Sequence, residues 1–314
     1  MSDEGVRATN NDASHCKRWC VEKRYFRDDY LKYFVHSTTA KAPEISRGYY
    51  VRVQSVRQAM RSFIKQHDSN CQIINIGAGF DTLFWNLTQE GLQPQAFVEL
   101  DFPQIVMKKI RVISSKSELN SVISRDEGGC DGTKVTKGSV HSQCYHLLSI
   151  DLRDKTAVSK VVEACSLDPT LPTLVLTECV LCYMPAQSSA HLISWASTTF
   201  PNSLFLNYEP CNMSDRFGSI MIENMRSRDC ELPGILACPT LTDQEKRFTD
   251  LGYSNAKAID MNQALRQLPA GDFQRIARLE FFDEHEILTQ LLEHYCLSWA
   301  TQGHSGNICL DLAL

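Results

Sequence analysis

From residue 71 onward the chain alternates short apolar segments, typical of buried β-strands, with segments whose apolar residues repeat at helical spacing. This alternation favours an α/β fold, in which helices cover both faces of a mostly parallel, doubly wound sheet. Two further strands are predicted near Ala256–Asp260 and at Tyr295–Thr301. The five leading strands are predicted at Gln72–Ile76, Gln95–Leu100, Tyr145–Ile150, Thr173–Thr177 and Ser203–Leu206. In such a Rossmann-like sheet, ligands bind outside the carboxyl ends of the strands.

Polar residues and glycines follow the carboxyl ends of these strands. Gly77 and Gly79 follow the first strand and permit a tight turn with close backbone approach to a ligand. Asp101 follows the second strand, 24 residues after Gly77, and could accept hydrogen bonds from both hydroxyls of a ribose. Asp151 and Glu178 follow the third and fourth strands. The arrangement predicts a nucleoside cofactor, although Asp151 could instead cap the next helix.

The glycine segment also limits which nucleoside cofactor is expected. Thr82 occupies the position of the third glycine of a G-x-G-x-x-G fingerprint, so the pyrophosphate seat of nicotinamide enzymes is incomplete. No Walker A sequence is present. The pattern that remains is typical of S-adenosylmethionine-dependent methyltransferases, whose cofactor has no phosphate. From these residues alone, a nicotinamide-dependent oxidoreductase and a non-catalytic scaffold that keeps a cofactor pocket are the alternatives.

A predicted helix at 47–66 carries one charged residue on the face that its apolar residues predict to be buried. Arg52 lies four residues before the apolar Val56 and therefore faces inward. It could extend to water along its aliphatic stem, or hold an anion beneath the helix. Glu178 follows a buried strand, so its carboxylate needs a cationic partner, for which the ammonium group of the cofactor would serve. The other side of the helix carries a basic stripe expected to face solvent, formed by Arg57, Arg61 and Lys65.

The remaining segments complete the predicted domain organisation. Residues 1–66 are predicted to form an N-terminal helical cap, and residues 67–314 the α/β core. Residues 114–143 contain seven serines and four glycines without an apolar period, which predicts a long, flexible loop. Residues 210–255 are predicted to be an inserted helical subdomain that lines a substrate cleft. A further helix is predicted over 283–293.

Charge and cysteine content exclude several classes of function. With 32 basic and 37 acidic residues the net charge is −5, so no basic field attracts nucleic acid. No signal peptide and no run of eighteen apolar residues is present, which argues against secretion and membrane spanning. Thirteen scattered cysteines, several of them in apolar segments, indicate a reducing, cytoplasmic setting. Cys16/Cys20 and Cys179/Cys182 lack the further ligands of a zinc site, so no metal is predicted.

Six segments of the sequence carry the pattern of a known family. They are Lys41–Val53, Ile74–Thr82, Val98–Pro103, Asp151–Asp154, Thr177–Met184 and Asp215–Gly218. Together they resemble the leucine carboxyl methyltransferases, over nearly the whole chain from Asp12 to Gly303. The resemblance implies a class I methyltransferase fold and S-adenosylmethionine as cofactor. It further implies methyl esterification of the C-terminal leucine of the type 2A protein phosphatase catalytic subunit. The alternative is another carboxylate or a modified tRNA, although the tRNA-modifying relative carries a propeller extension for which this chain is too short.

The resemblance also implies which residues bind the cofactor. Arg52 is interpreted as an inward guanidinium over the carboxylate of the cofactor, where it could also sense the carboxylate of the substrate. Gly79 joins the set through the glycine turn described above. The residues implied by the family pattern are Lys17, Arg52, Gly77, Asp101, Asp151, Leu152 and Glu178.

The implied reaction needs little acid–base chemistry. An α-carboxyl group has a pKa of about 3.3–3.7, so it is ionised at neutral pH and requires no general base. The sequence offers no obvious candidate for one. Arg52 and Tyr183 are therefore interpreted as positioning residues, although Tyr183 could equally be a structural tyrosine. The expected partner is the phosphatase subunit, with neither nucleic acid nor membrane, and the protein is expected to be a monomer.

Overall fold

The structure, a computed structural model, describes residues 3–124 and 132–303. Over these residues, nine strands form one sheet in the order β3-β4-β5-β2-β1-β6-β7-β9-β8. The strands are β1 (Gln72–Ile76), β2 (Ala96–Asp101), β3 (Lys134–Val135), β4 (Ser139–His141), β5 (Tyr145–Ser149), β6 (Thr173–Glu178), β7 (Ser203–Pro210), β8 (Asn255–Asp260) and β9 (Tyr295–Gln302).

The five central strands, β5, β2, β1, β6 and β7, are mutually parallel. The outer strands are antiparallel: β9 runs between β7 and β8, and β3 and β4 extend the other edge. Strand order reverses between β1 and β6, so a crevice opens at the carboxyl ends of these two strands. The predicted doubly wound, Rossmann-like α/β fold is confirmed, as are all seven predicted strands, with ends shifted by one residue at most except at β7.

Helices cover both faces of this sheet. The predicted helix at 47–66 is confirmed and begins earlier, at Pro43, because a proline suits the first turn of a helix. The helices of the described residues are α1 (Glu4–Glu22), α2 (Pro43–Gln66), α3 (Leu83–Gln89), α4 (Pro103–Ser115), α5 (Ser117–Ile123), α6 (Lys155–Ser159), α7 (Val161–Ala164), α8 (Ala186–Thr199), α9 (Arg216–Arg226), α10 (Leu241–Thr249), α11 (Met261–Gln267), α12 (Ala270–Ala277) and α13 (His285–Glu293).

Two apolar cores lie on opposite faces of the sheet, which explains why its central strands read as continuous apolar runs. Side chains alternate along β1, so Ile73 packs in one core while Ile74 and Ile76 pack in the other. The first core contains Met60 and Phe63 of α2. The strands are therefore held from both sides, which fixes where their carboxyl ends lie.

Strand β7 is longer than predicted because a polar residue in it is buried rather than exposed. The sequence predicted its end at Leu206, before Asn207. In the structure the strand continues to Pro210 and pairs with β9 along its full length. The side chain of Asn207 accepts a hydrogen bond from Thr177 Oγ1 at 2.8 Å and donates one to Ser298 Oγ at 3.3 Å. These partners compensate the amide for its loss of water within the sheet.

The predicted loop at 114–143 is wrong over much of its length. Helix α4 runs to Ser115, α5 follows it, and β3 and β4 extend the sheet. Leu119 and Ile123 lie one turn apart and are buried, so α5 has a single apolar turn that is too short to show periodicity. Residues 125–131 of the predicted loop lie outside the described residues.

The prediction that Arg57 faces solvent is also wrong. Its guanidinium is buried and donates to the Arg27 carbonyl at 2.6 Å and to Asp28 Oδ2 at 3.0 Å. The segment before α2 packs over this side of the helix, and helical periodicity cannot show such a contact. Arg61, one turn further on, does lie at the surface and pairs with Glu90.

The predicted division of the chain at residue 66, with an inserted subdomain at 210–255, stays a prediction. Residues 3–66 are largely helical, and the 210–255 segment contains α9 and α10 between β7 and β8. Among the helices of residues 3–124 and 132–303, none is both long and apolar enough to cross a membrane.

Candidate active site

A cavity of about 310 Å³ lies at the crevice between the carboxyl ends of the central strands. The sequence placed its candidate residues on six separate segments, and the structure brings all but one of them to the wall of this cavity. Gly79 is the exception, and its role is described below. The predicted residues that line the cavity are Lys17, Arg52, Gly77, Asp101, Asp151, Leu152, Glu178 and Tyr183.

The glycine turn after β1 is tightly packed on both sides. Gly77 and Gly79 have φ angles of +67° and +53°, in the left-handed region that favours glycine. A Cβ atom at Gly77 would lie 2.4 Å from a methyl group of Val180, and one at Gly79 would lie 2.4 Å from Asn10 Oδ1. Gly79 therefore serves the site through its backbone, because its N–H donates to Asp101 Oδ2 at 2.6 Å.

The Asp101 carboxylate is fixed at the end of β2. Besides the bond from Gly79, its Oδ1 accepts a hydrogen bond from the Phe102 N–H at 2.6 Å. Burial raises the pKa of Asp101, and the two backbone donors and Lys109 oppose that rise. Each carboxylate oxygen can accept more than one hydrogen bond. Asp101 can therefore accept further hydrogen bonds from a ligand in the cavity.

Glu178 forms the charged centre of the site. Arg52 Nε donates to its Oε2 at 2.6 Å, and Lys17 Nζ lies 3.7 Å from the same oxygen. Burial alone would raise the pKa of Glu178, but the charges of Lys17 and Arg52 outweigh it and lower the pKa to about 2. The expectation of a cationic partner for Glu178 is confirmed, and Arg52 and Lys17 supply positive charge to it.

Only one nitrogen of the Arg52 guanidinium binds a residue of the site. Its Nε binds Glu178, and no hydrogen bond joins its two terminal nitrogens to any residue that the structure describes. The guanidinium carbon lies 4.7 Å from the ring centre of Tyr208 and 5.7 Å from that of Tyr49. These contacts hold the planar group in one orientation. The inward placement predicted from helical spacing is confirmed.

Asp151 does not cap a helix. The N-cap of α6 is Asp154, which accepts hydrogen bonds from Thr156 N and Ala157 N. Asp151 instead accepts from the backbone and the guanidinium of Arg153, which lowers its pKa. Arg153 also donates to Asp3. Its guanidinium thus binds two carboxylates and joins the start of α1 to the loop after β5. The capping alternative from the sequence is therefore wrong.

Aromatic side chains form another wall of the cavity. Tyr49, Tyr183 and Tyr295 line it, and Tyr295 stacks on Tyr208 with ring centres 5.4 Å apart. Burial raises the pKa of each of these four hydroxyl groups, so all of them stay neutral at neutral pH. Tyr183 thus reaches the cavity, as predicted, as a neutral hydroxyl group.

Comparison with known proteins decides between the chemistries left open by the sequence. The family model of the leucine carboxyl methyltransferases matches residues 5–197. Leucine carboxyl methyltransferase 1 of Bos taurus is 44% identical over 304 residues, which cover 96% of this chain and 91% of that protein. The chain belongs to the leucine carboxyl methyltransferase family. Membership of this family makes it a methyltransferase and implies S-adenosylmethionine-dependent carboxyl methylation rather than hydride transfer.

Two other proteins show how far the likeness extends. This leucine carboxyl methyltransferase family member is 34% identical to tRNA wybutosine-synthesizing protein 4 of Homo sapiens, over 95% of this chain but 44% of that protein. A solved structure of a candidate methyltransferase from Thermobifida fusca has a TM-score of 0.51 at 9% identity. The match covers 86% of this chain and 92% of that chain, and it concerns the fold alone.

Several cavity residues of this family member escaped the sequence analysis. Tyr49 lies three residues before Arg52, so helical spacing could have identified it. Tyr295 begins β9, and Asn10 lies on a helix whose polar sequence carries no motif. Their contribution depends on α1 and β9 packing beside the strand ends, which no local pattern reveals.

The contact between Asn10 and the glycine turn should support cofactor binding. Asn10 Oδ1 accepts a hydrogen bond from the Phe80 N–H at 2.8 Å. Removing it in Asn10→Ala should cost about 1 kcal/mol, or roughly a fivefold loss of affinity for S-adenosylmethionine by calorimetric titration. Asn224→Ala, at an exposed asparagine of α9 that does not line the cavity, is the matched control. Equal affinities for the two variants would contradict a role for Asn10.

Proposed function

We propose that this chain transfers a methyl group from S-adenosylmethionine to the α-carboxylate of a C-terminal leucine. We propose the catalytic subunit of type 2A protein phosphatase as the protein that carries it. The observation that carries the proposal is that Arg52 and Asp101 line one cavity. The Asp101 carboxylate suits the ribose hydroxyls of the cofactor, and the Arg52 guanidinium suits the carboxylate of a ligand. The name of the Bos taurus relative supports leucine as the methylated residue, and the six sequence segments support the phosphatase.

The residues of the cavity fit the proposed cofactor. Gly77 lines the cavity at the turn after β1, and the Asp101 carboxylate, held by the Gly79 N–H, can accept hydroxyl donors there. On the other side, Arg52 and Lys17 offer positive charge to a carboxylate. When bound, S-adenosylmethionine supplies a methyl group on a positively charged sulfonium. The residues proposed to hold it are Lys17, Arg52, Gly77, Gly79 (through Asp101), Asp101, Asp151, Leu152 and Glu178.

The chain needs no general base for this reaction, because the accepting α-carboxylate is already ionised at neutral pH. The task of the protein is to align that carboxylate, for which the terminal nitrogens of Arg52 are placed, with Tyr183 as a second donor. Burial raises the pKa of the Cys179 thiol to about 11, so this neighbouring sulfur does not compete as a nucleophile. We propose catalysis mainly by positioning.

The surroundings of Arg52 also suit a reaction that destroys charge. A carboxylate anion and a sulfonium cation give neutral products, so a site that excludes water favours their reaction. Near Arg52 lie three neutral tyrosines, of which Tyr208 is buried and Tyr49 and Tyr295 are partly buried, and Glu178 balances part of the positive charge. The incoming carboxylate would therefore exchange water for a fixed guanidinium.

Removing the Asp101 carboxylate should weaken cofactor binding strongly. Asp101→Ala loses hydrogen bonds to a charged group, which are worth about 1.5–3 kcal/mol, or roughly a 10-fold to 150-fold loss of affinity. Calorimetric titration with S-adenosylmethionine measures this. Asp154→Ala is the matched control, since this aspartate caps α6 and does not line the cavity. Unchanged affinity in Asp101→Ala would contradict the ribose assignment.

Methyl transfer to the phosphatase tests the proposal as a whole. The catalytic subunit, incubated with this protein and tritiated S-adenosylmethionine, should gain one base-labile methyl ester at its terminal leucine, identified by mass spectrometry. Deleting that leucine or amidating the terminus should abolish transfer. A label on the amidated protein, a label stable to mild alkali, or transfer to tRNA instead would refute the assignment. No transfer to any of these would favour a non-catalytic scaffold.

We further propose that the substrate is recognised as a folded protein, by a monomeric enzyme in the cytoplasm. Docking of the protein surface supplies binding energy that can orient the terminus, so a short free peptide should have a much lower kcat/KM. Equal kcat/KM values for peptide and protein would show that the tail alone is recognised. Light scattering tests whether the enzyme is a monomer, and cell fractionation tests whether it lies in the cytoplasm.

A further inference from the structure

Two histidines and a cysteine meet at the β5 edge of the parallel strands, outside the proposed methyl-transfer site. His141 lies at the end of β4, His146 is the second residue of β5, and Cys165 follows α7. One ligand atom from each side chain lies within 4.8 Å of the other two. The two Nδ1 atoms are 3.1 Å apart. Cysteine spacing in the sequence cannot reveal this group, because its three ligands lie on separate elements.

The fold brings these side chains together from three elements. His141 and His146 are direct cross-strand partners in the antiparallel β4–β5 pair, so their side chains lie on one face. His146 lies two residues before Leu148 in β5 and therefore on the same face, and Leu148 packs in the same apolar core as Cys165. Cys165 is 2% exposed and His146 is 8% exposed. The group is therefore built into the structure rather than gathered from mobile surface residues.

The donor atoms match the preference of zinc. Two imidazole nitrogens and one thiolate are ligands that Zn²⁺ binds in tetrahedral sites. With Zn–N bonds of about 2.0–2.1 Å and a Zn–S bond of about 2.3 Å, tetrahedral ligands lie roughly 3.3–3.6 Å apart. The observed nitrogen separation of 3.1 Å is close to this, and small side-chain rotations would bring the sulfur into range.

A hydrogen bond between the imidazoles explains only part of the arrangement. It accounts for the contact of the two rings but gives no role to the thiol, whose Sγ makes no hydrogen bond with any residue in the described part of the chain. We propose that His141, His146 and Cys165 form a zinc site that ties the β4–β5 hairpin to α7. His141 is partly exposed, which leaves a fourth position open to water. Because β5 separates this group from Asp151, the site is independent of the proposed methyl transfer.

Cobalt binding tests the proposal directly. The full chain, prepared without a histidine tag and stripped of metal with a chelator, is titrated with Co²⁺. We expect visible bands of tetrahedral cobalt and a thiolate charge-transfer band that saturate at one equivalent and disappear when Zn²⁺ is added. Saturating Zn²⁺ should also raise the midpoint of thermal unfolding by a few degrees, because the metal binds the folded state.

Three variants assign the ligands. Cys165→Ala and His141→Gln should each lose the charge-transfer band or the tetrahedral spectrum, and Zn²⁺ should no longer raise their unfolding temperature. Cys71→Ala, which removes another fully buried thiol, is the matched control and should retain both responses. His141→Gln lies at a partly exposed position, so it can be tested even if Cys165→Ala does not fold. The proposal is overturned if the wild-type chain gives no tetrahedral spectrum, or if the spectrum persists in His141→Gln.

Discussion

Replacing Arg52 by lysine should lower the kcat of methyl transfer about 100-fold or more while the protein stays folded. Arg52 lines the cavity, its Nε binds Glu178, and its terminal nitrogens make no hydrogen bond to the described residues. Lysine keeps the positive charge near Glu178 but cannot reproduce this planar fork. Misplacing one of two aligned reacting groups by about 1 Å can cost roughly 100-fold in rate. Single-turnover kinetics with the phosphatase subunit would separate this effect from product release.

Arg61→Lys is the matched control for this experiment. Arg61 lies on the same helix and also pairs with a glutamate, Glu90, but at the surface and away from the cavity. Its replacement should change neither kcat nor the affinity for S-adenosylmethionine. Wild-type turnover in Arg52→Lys would show that positive charge suffices and that the bidentate geometry is irrelevant.

The second large effect concerns a fully buried ion pair beneath the glycine turn. Lys109 Nζ lies 2.6 Å from Glu99 Oε2, and neither side chain is exposed. The same ammonium donates to the Asp81 carbonyl at 2.8 Å, and the Tyr145 hydroxyl donates to Glu99. Removing one partner of such a pair leaves an uncompensated charge, at a typical cost of about 3–5 kcal/mol. Lys109→Met should therefore lower the free energy of unfolding by about this amount at pH 8.

The pH dependence of this loss follows from the state of Glu99. Burial raises its pKa to about 7, even though Lys109 and Tyr145 oppose the rise. A carboxyl group whose pKa is higher in the folded than in the unfolded protein destabilises the fold as pH rises from about 4.5 to 7. Without Lys109 the pKa of Glu99 should rise further, so the loss in Lys109→Met should be smaller at pH 5 than at pH 8.

Denaturant unfolding at pH 5 and pH 8 measures the loss of unfolding free energy and its dependence on pH. The double variant Lys109→Met/Glu99→Gln should recover much of the stability, because it removes the uncompensated carboxylate. A single variant as stable as the wild type at pH 8, or a loss that does not change with pH, would contradict the buried ion pair. Lys109→Met also removes the hydrogen bond to the Asp81 carbonyl, which should loosen the glycine turn. We therefore expect this variant to bind the cofactor more weakly as well.

Local patterns in the sequence predicted the frame of the molecule with good accuracy. Apolar runs predicted the central strands because those strands are buried on both faces, and a parallel sheet collects their carboxyl ends at one edge. The positions of Gly77, Asp101 and Glu178 directly after three of these strands were therefore enough to predict that they meet at one cavity. Helical spacing put Arg52 on the inward face of α2, and six short segments identified the family.

Long-range packing determined what local patterns could not. Lys17 reaches Glu178 from a helix 161 residues earlier in the chain, and Arg57 is buried only because the segment around Asp28 covers it. Asn207 continues a strand because partners on β6 and β9 satisfy its amide. The sequence by itself thus determined the seven longer strands, the polar residues that follow the central ones and the family. Only the tertiary structure decided which charges meet and which polar groups are buried, because these depend on contacts between residues far apart in the chain.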